Sequence, residues 1–484
     1  MHAPTRAFEY LEGALSVTND DAQRAELWEL AAASAQAAGR LREAEVLVRQ
    51  AISFHQARGD RSAVARTTVR LGGILALRYA ADESIAVVRA ALDDLGGDLS
   101  LRDDPWLIEL LSGLAHAYLL AGRTGDAIEW ADQAIVGADR IGLPQVVAGA
   151  MTTKGDALIE DGRTVEGIEL LRASLAMSTE QGLIVPALRA RNGLAVGLLA
   201  DDPRAALETA AEGLDIARRF GFGDSAIRLA SNWLEGALDV GAWDGALDLV
   251  AELDRADLPE TDRIDLRSVL ALVLAWRGDP TSASRFMALD AAVAAGDDDL
   301  ATATLLSRAA AAALAEGRPA ESLAQASEAT RLYRGSGLRT AVLWGVVPCC
   351  RAAIWVGDRD RAQRATEEID ASGVRGRWVT AFLATMRAGI DASGGDIHSG
   401  ARRYAEAADA WRRLGVSLQL GLCQLEAAHL LRPGSPEARA AGEEARAIFE
   451  ALGASTLLGR LEGRLDVAVS SEPARTYSVG SKSL

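Results

Sequence analysis

A turn residue returns along this chain about every forty positions. Gly39, Ala81, Gly122, Gly162, Asp201, Gly241, Gly278, Gly317, Gly357, Gly395 and Gly434 each mark a short GR-, GD- or GA-type segment. From 39 to 434 is 395 residues in ten steps, a mean of 39.5. Such a period marks stacked supersecondary units, each too small to hide its own apolar face. It outweighs the several domains that a chain of 484 residues would otherwise suggest.

Two further columns keep the same register. Five residues after the markers stand Ala44, Ala86, Ala127, Gly167, Ala206, Ala246, Ala283, Ser322, Ala362, Gly400 and Arg439. Seven residues before them stand Ala32, Ile74, Ala115, Gly155, Leu194, Leu234, Ala271, Ala310, Cys350, Ala388 and Ala427. Antiparallel helices approach closely only where the facing side chains are small, so these columns predict the crossing points of helix pairs. Amphipathic runs lie between them, as from Asp126 and from Val165. Asp104-Pro105, Asp202-Pro203, Asp279-Pro280 and Ser435-Pro436 each place a capping side chain before a proline, which predicts a helix start. Pro348 stands inside the run from Leu338 to Val356 and is expected to kink that helix. Gly72-Gly73 reads as an interruption of an early helix.

The pattern resembles the tetratricopeptide repeat. In GRTGDAIEWADQAI, Ala127 and Ala134 match the two alanines of that repeat's second helix, although the period here is longer than the family's own. The longer form is similar to the helical sensor arms of LuxR-type regulators and class III nucleotide cyclases, and the segment from Ala445 to Leu465 resembles their ending. The resemblance implies an all-α fold, a right-handed α-solenoid of about eleven helix hairpins. The expected organisation is a capping helix over 1–19, the solenoid over 20–465 and a polar tail over 466–484.

Composition narrows the function. Acidic residues outnumber basic ones by 68 to 51, for a formal charge of −17, which repels nucleic acids and anionic membranes at long range. Lys154 and Lys482 are the only lysines, and neither follows a phosphate-binding glycine loop. GFGDSA at Gly221 lacks the last glycine of a dinucleotide fingerprint, and no G-x-S-x-G elbow is present. His2, His55, His116, His398 and His429 are scattered, and Asp297-Asp298-Asp299 lacks the spacing of a calcium loop. Cys349, Cys350 and Cys423 form neither a disulfide framework nor a metal site. No leader or membrane span is evident, so the sequence reads as a cytoplasmic, non-catalytic chain without cofactor or metal.

The first helix of each pair usually lines the concave face of such a solenoid. Carrying over the family's groove positions gives Glu109, His116, Asp156, Arg191, Asn192, Arg228, Asn232, Glu235, Arg308, Trp344, Arg351 and Trp355. Arg191-Asn192 and Arg228-Asn232 fall on adjacent repeats, where guanidinium forks and amides could hold a carboxylate or phosphate. The competing reading pairs those arginines with neighbouring acids. Trp344 and Trp355 could form an aromatic pocket with the Cys349-Cys350 thiols, or simply fill long helices. The expected partner is a protein, a peptide or a small anionic effector. The alternative is the sensor arm of a signalling ATPase, nucleotide cyclase or LuxR-type regulator whose catalytic or DNA-binding part lies elsewhere.

Overall fold

The structure, a computed structural model, describes residues 2–78, 80–95, 103–254, 260–294, 298–335 and 339–463. The tail expected from 466 onward and Asp297 lie outside them. Within these residues there are 24 helices and no strand. After α1 (His2–Val17) come eleven hairpins and a final helix, α24 (Ser455–Glu462). The first helices of the hairpins are α2 (Asp21–Ala37), α4 (Arg61–Leu77), α6 (Pro105–Leu120), α8 (Pro144–Glu160), α10 (Ile184–Leu199), α12 (Gly223–Val240), α14 (Glu260–Arg277), α16 (Asp299–Ala315), α18 (Arg339–Val356), α20 (Arg377–Ser393) and α22 (Ser417–Leu430). Their partners are α3 (Leu41–Arg58), α5 (Ala81–Leu95), α7 (Thr124–Ile141), α9 (Thr164–Glu180), α11 (Pro203–Phe220), α13 (Trp243–Leu253), α15 (Ser282–Ala294), α17 (Pro319–Gly335), α19 (Arg359–Ser372), α21 (Ile397–Leu414) and α23 (Pro436–Leu452). Among the described residues the fold is an all-α array of helix hairpins.

Small residues close the hairpins. All eleven positions seven before a turn are buried, from Ala32 to Ala427. Cys350 of that column meets Ala362 of the other, its Sγ 3.5 Å from the Ala362 carbonyl oxygen. A Cβ on Gly400 would stand 2.9 Å from that of Ala392, so anything larger would push α20 and α21 apart.

The second hairpin departs from the expected register. Its turn follows Leu77, not Ala81, so Ala86 is exposed and Ser84 is buried in its place. Ser84 Oγ donates to the Gly72 carbonyl at 3.2 Å, which makes Gly72 the crossing point of an unbroken α4 instead of an interruption. Ser282 and Ala438 similarly replace Ala283 and Arg439 as the buried residues. Asp104, Asp202 and Ser435 cap α6, α11 and α23 ahead of their prolines. Asp279 instead holds a turn through the backbone and hydroxyl of Thr281, and α15 begins only at Ser282.

The helices assemble into two compact units. One runs to Leu158 and includes Glu169–Ala190; the other comprises Ile159–Ile168 and the chain from Arg191 onward. In the first, α1 packs on α2 through Phe8, which is fully buried with Ala31, Ala35, Leu71 and Leu75. One helix among the described residues, α18, is long and apolar enough to cross a membrane by length and composition, and most of it is buried inside the second unit.

The second unit winds until it meets itself. Val379 donates its N–H to the Ala200 carbonyl at 3.3 Å, and Arg377 N donates to Asp201 Oδ1 at 2.8 Å. Thr340 N donates to Glu160 at 3.1 Å, Gln419 Nε2 to Asp239 at 2.9 Å and Thr456 Oγ1 to the Ala275 carbonyl at 2.6 Å. These partners are 176 to 181 residues apart, or about four and a half 39.5-residue periods. In each contact the C-terminal end of an inner helix, or the residue just after it, reaches the start of another first helix or of α24. Glu160 and Asp201 thereby satisfy free N–H groups at the starts of α18 and α20, in the direction the helix dipole favours. The N-cap of α20 is Gly376, which has no side chain to do this itself.

Gly376 is confined by that contact, because an added Cβ would lie 2.6 Å from the Ala200 carbonyl carbon and 2.8 Å from Asp201 Cα. Gly376→Ala is therefore expected to destabilise the second unit by ~1–3 kcal/mol, the usual range for overpacking. Denaturant unfolding should show it, together with a red shift of emission from the adjacent buried Trp378. Gly113→Ala, on an open face of α6 with nothing within 4 Å, should be neutral or slightly stabilising.

Candidate functional site

The first helices of the second unit line a cavity of about 150 Å³. Leu199 comes from α10, Asp239 from α12, Trp276 from α14, Arg308 from α16, Trp344 from α18, Trp378 from α20, Gln419 from α22 and Leu457 from α24. Successive first helices thus supply the wall, and the meeting of one turn with the next closes it. Leu199, Asp239, Trp276, Ala315 and Trp355 each stand two residues before a turn marker, so they repeat at one height on successive helices.

Pro348 also lines the cavity. The helix α18 continues through it from Arg339 to Val356. A proline cannot donate to the carbonyl four residues earlier. That carbonyl belongs to Trp344, and Ser307 Oγ of α16 donates to it at 3.0 Å. A neighbouring repeat therefore supplies the hydrogen bond that the proline removes.

Aromatic rings form much of the wall. Trp378 packs edge-on against Trp344, with centroids 5.9 Å apart, and stacks on Phe382 at 5.4 Å. Trp276 stacks on Trp243 at 5.0 Å. Trp378 Nε1 donates to Asp239 Oδ2 at 2.7 Å, and Trp355 Nε1 donates to Glu426 Oε1 at 3.2 Å. Trp378 and Trp355 are thus fixed by hydrogen bonds from their indole N–H, and Trp378 and Trp276 also by stacking on a neighbouring ring.

The two cavity arginines are already engaged. Arg308 reaches the Asp265 carboxylate at 2.6 Å, Ser268 Oγ at 2.5 Å and the Glu235 carboxylate, binding α16 to α14 and α12. Burial opposes its charge, but the Asp265 and Glu235 carboxylates more than offset this and raise its pKa. Arg351 donates from Nε to Glu426 at 2.7 Å and from Nη1 to Gln419 at 3.0 Å. Glu426 is wholly buried, and burial pushes its pKa up against the pull of Arg351 and Trp355. Both guanidinium charges are consumed within the wall.

Asp239 differs, since it receives hydrogen bonds only from the neutral Gln419 and Trp378. Burial, opposed by those two bonds, raises its pKa from 3.8 to about 6.

Of the residues expected from sequence, Glu235, Arg308, Trp344, Arg351 and Trp355 line this cavity. Arg191 does not: its side chain turns toward α11, 3.9 Å from Glu212. Asn232 Nδ2 donates to Asn192 Oδ1 at 3.0 Å, so these amides do join adjacent repeats. They stand two helical turns before Asp239 and Leu199 on the same faces, beyond the cavity lining. Arg228 is exposed. Glu109, His116 and Asp156 belong to the first unit. The vicinal thiols point elsewhere: Cys350 faces α19 through Ala362 and Thr366, and burial pushes its thiol up to about 12. Asp239, Trp276, Trp378, Gln419 and Leu457 complete the wall without having been singled out in the sequence. The column two before each turn was a usable signal for Asp239 and Trp276. Nothing local pointed to Trp378, Gln419 or Leu457, which arrive from the next turn.

No family model matches this chain, and no curated protein matches it. Among solved structures, it is similar to a Rap protein complexed with Competence and Sporulation Factor (11% identity, covering 83% of this chain and 99% of that one, TM-score 0.44). It is also similar to the apo form of the quorum sensor NprR from B. thuringiensis (13% identity, 80% and 97% covered, TM-score 0.40) and to yeast Tom70 (13%, 87% and 92%, 0.36). Likeness at this level says nothing of ligand or partner.

Two expectations follow from the wall. Glu426→Gln leaves Arg351 charged and buried, and should destabilise the second unit by ~3–5 kcal/mol. The double variant Arg351→Met with Glu426→Gln should recover part of that loss in urea unfolding. For Asp239, the folded chain holds a proton that the unfolded chain releases between about pH 4 and pH 6. Stability from this group is therefore greatest below the window and falls as pH rises through it. The difference in unfolding free energy between wild type and Asp239→Asn should shift in favour of wild type as pH is lowered across that range.

Proposed function

We propose that this protein is a non-catalytic, effector-sensing scaffold, and that the cavity of the second unit is its ligand site. The observation that carries this reading is the origin of the wall: it combines helices from successive repeats with helices about 180 residues further along. A ligand filling the space touches both, so its binding energy favours the wound arrangement over any looser one. Preformed helices supply such a surface at little ordering cost. A concave, largely apolar space with a few fixed polar groups is the usual form of a small-molecule or side-chain pocket. The cavity arginines are paired with carboxylates, and the thiol of Cys350, pushed up to about 12 by burial, lies outside the lining. These features support binding over chemistry.

The paired amides Asn192 and Asn232 lie on the same helix faces beyond the cavity. Primary amides match the donors and acceptors of an extended backbone, so a peptide could run from the cavity along them. A small anion is the less favoured effector, because Arg308 and Arg351 are both neutralised by carboxylates.

A thermal-shift panel of small metabolites and short peptides against the full chain tests the reading. Ligands that raise the unfolding temperature should lose affinity by about tenfold to a hundredfold with Trp344→Ala, as removal of a central aromatic anchor commonly does. Trp344→Phe should retain most of it. Stabilising ligands whose affinity is indifferent to both changes would place the site elsewhere.

A further inference from the structure

The cavity lining carries two arginines and two carboxylates, Glu235 and Asp239, but both arginines are also held by carboxylates behind it, Asp265 and Glu426. Arg308 stands between Glu235 and Asp265, and Arg351 is paired with Glu426. Two cations thus face three carboxylates, and Asp239 adds a fourth that is held only by neutral donors. The surplus negative charge lies on α12, where Glu235 and Asp239 are one helical turn apart and both line the space. Around them stand the indoles of Trp276, Trp344, Trp355 and Trp378. Indole faces are electron-rich and attract cations within about 6 Å of the ring centre, the more so when water is excluded.

We infer that the cavity accepts an amphipathic organic cation, an ammonium group carried on a small apolar body, with Glu235 and Asp239 as its anionic receptors and the tryptophans as its walls. The inference deepens the reading of this cavity as a ligand site and rests on it. Size sets the body: an apolar cavity of about 150 Å³ holds a benzene-sized group. The cation's second interaction is with the carboxylate of Asp239, whose hydrogen-bond partners, Gln419 and Trp378, are neutral and which has no ion-pair partner of its own. An anion would meet Glu235 and Asp239, and the guanidinium groups beside them are already paired with carboxylates, although Arg351 Nη2 has no hydrogen-bond partner. The same chemistry can come from a free amine or from a lysine side chain of a peptide.

Binding depends on pH through Asp239. The groups that act on it are Glu235 on its own helix, Arg351 from α18, Gln419 from α22 and Trp378 from α20. Protonating Asp239 removes half of the surplus charge, so affinity for a cation should fall as pH drops below about 6.

The test uses three probes with the same phenylethyl body on the full chain, read by tryptophan fluorescence and calorimetry: 2-phenylethylamine, 2-phenylethanol and 3-phenylpropionate. A fourth and fifth, acetyl-Phe-Lys-amide and the same peptide with its lysine acetylated, separate a peptide source from a free amine. The amine is expected to bind at least about tenfold more tightly than the alcohol, a difference of ~1.4 kcal/mol, and the carboxylate most weakly. Asp239→Asn should erase most of that preference. Glu235→Gln should reduce it in the same direction, which covers the case in which the first variant folds poorly. Lowering the pH from about 8 to about 5 should weaken the amine and leave the alcohol unchanged. If the alcohol or the carboxylate binds as well as the amine, the cation inference is overturned while the cavity remains a ligand site. If no probe binds, but ligands sensitive to Trp344→Ala emerge from the panel, the inference falls alone. If neither occurs, both fall.

Discussion

Paired helices close to contact only where neither carries a large side chain at the crossing, and every other feature of this protein depends on that constraint. Ala, Gly, Ser and Cys recur at most crossing points, Leu194 and Leu234 being exceptions, because the gap between the helix backbones there is narrow. With the crossing settled, each hairpin presents one apolar face to the next, and stacking buries it. Long side chains are pushed away from the crossing, either outward to solvent or inward to the winding axis. The inward set in the second unit is unusually rich in tryptophan and charge. That combination turns a structural by-product, the space inside a winding solenoid, into a lined cavity.

The winding closes the cavity by a second device. Chain ends of helices are electrostatically incomplete, with free carbonyls at one end and free N–H groups at the other. In the second unit these ends meet across one full turn, Ala200 against Val379 and Glu160 against Thr340. Asp201 and Gly376 make the junction possible together, one by supplying the carboxylate and the other by having no Cβ to obstruct it. The helix α18 shows the same economy of partners. Its internal proline removes a hydrogen bond, and Ser307 from the preceding repeat restores it within the cavity wall.

Electrostatics then separates structure from recognition. The two buried arginines hold helices together through their carboxylate partners. Asp239 is the exception, a buried carboxylate without a cationic partner of its own. A group of that kind is costly to keep ionised, and its presence in an aromatic cavity is what distinguishes this wall from ordinary core.

The hairpin count, the crossing columns and most helix starts were legible in the linear sequence, because each rests on contacts within forty residues. Where the reading slipped, the cause was equally local. Ala81 took the place of a turn that in fact follows Leu77, which displaced the crossing pair from Gly72 and Ser84 by two residues. Part of the wall was legible too: Arg308, Trp344, Arg351 and Trp355 follow from the groove positions of the repeat. Trp378, Gln419 and Leu457 were not, nor was the fate of Arg191, which turns into its own hairpin. A period states how one unit follows another, but the angle between units sets how many complete a turn. That angle is the sum of many small side-chain contacts, and only the assembled structure decides which residues, some 180 apart in the chain, come to face each other.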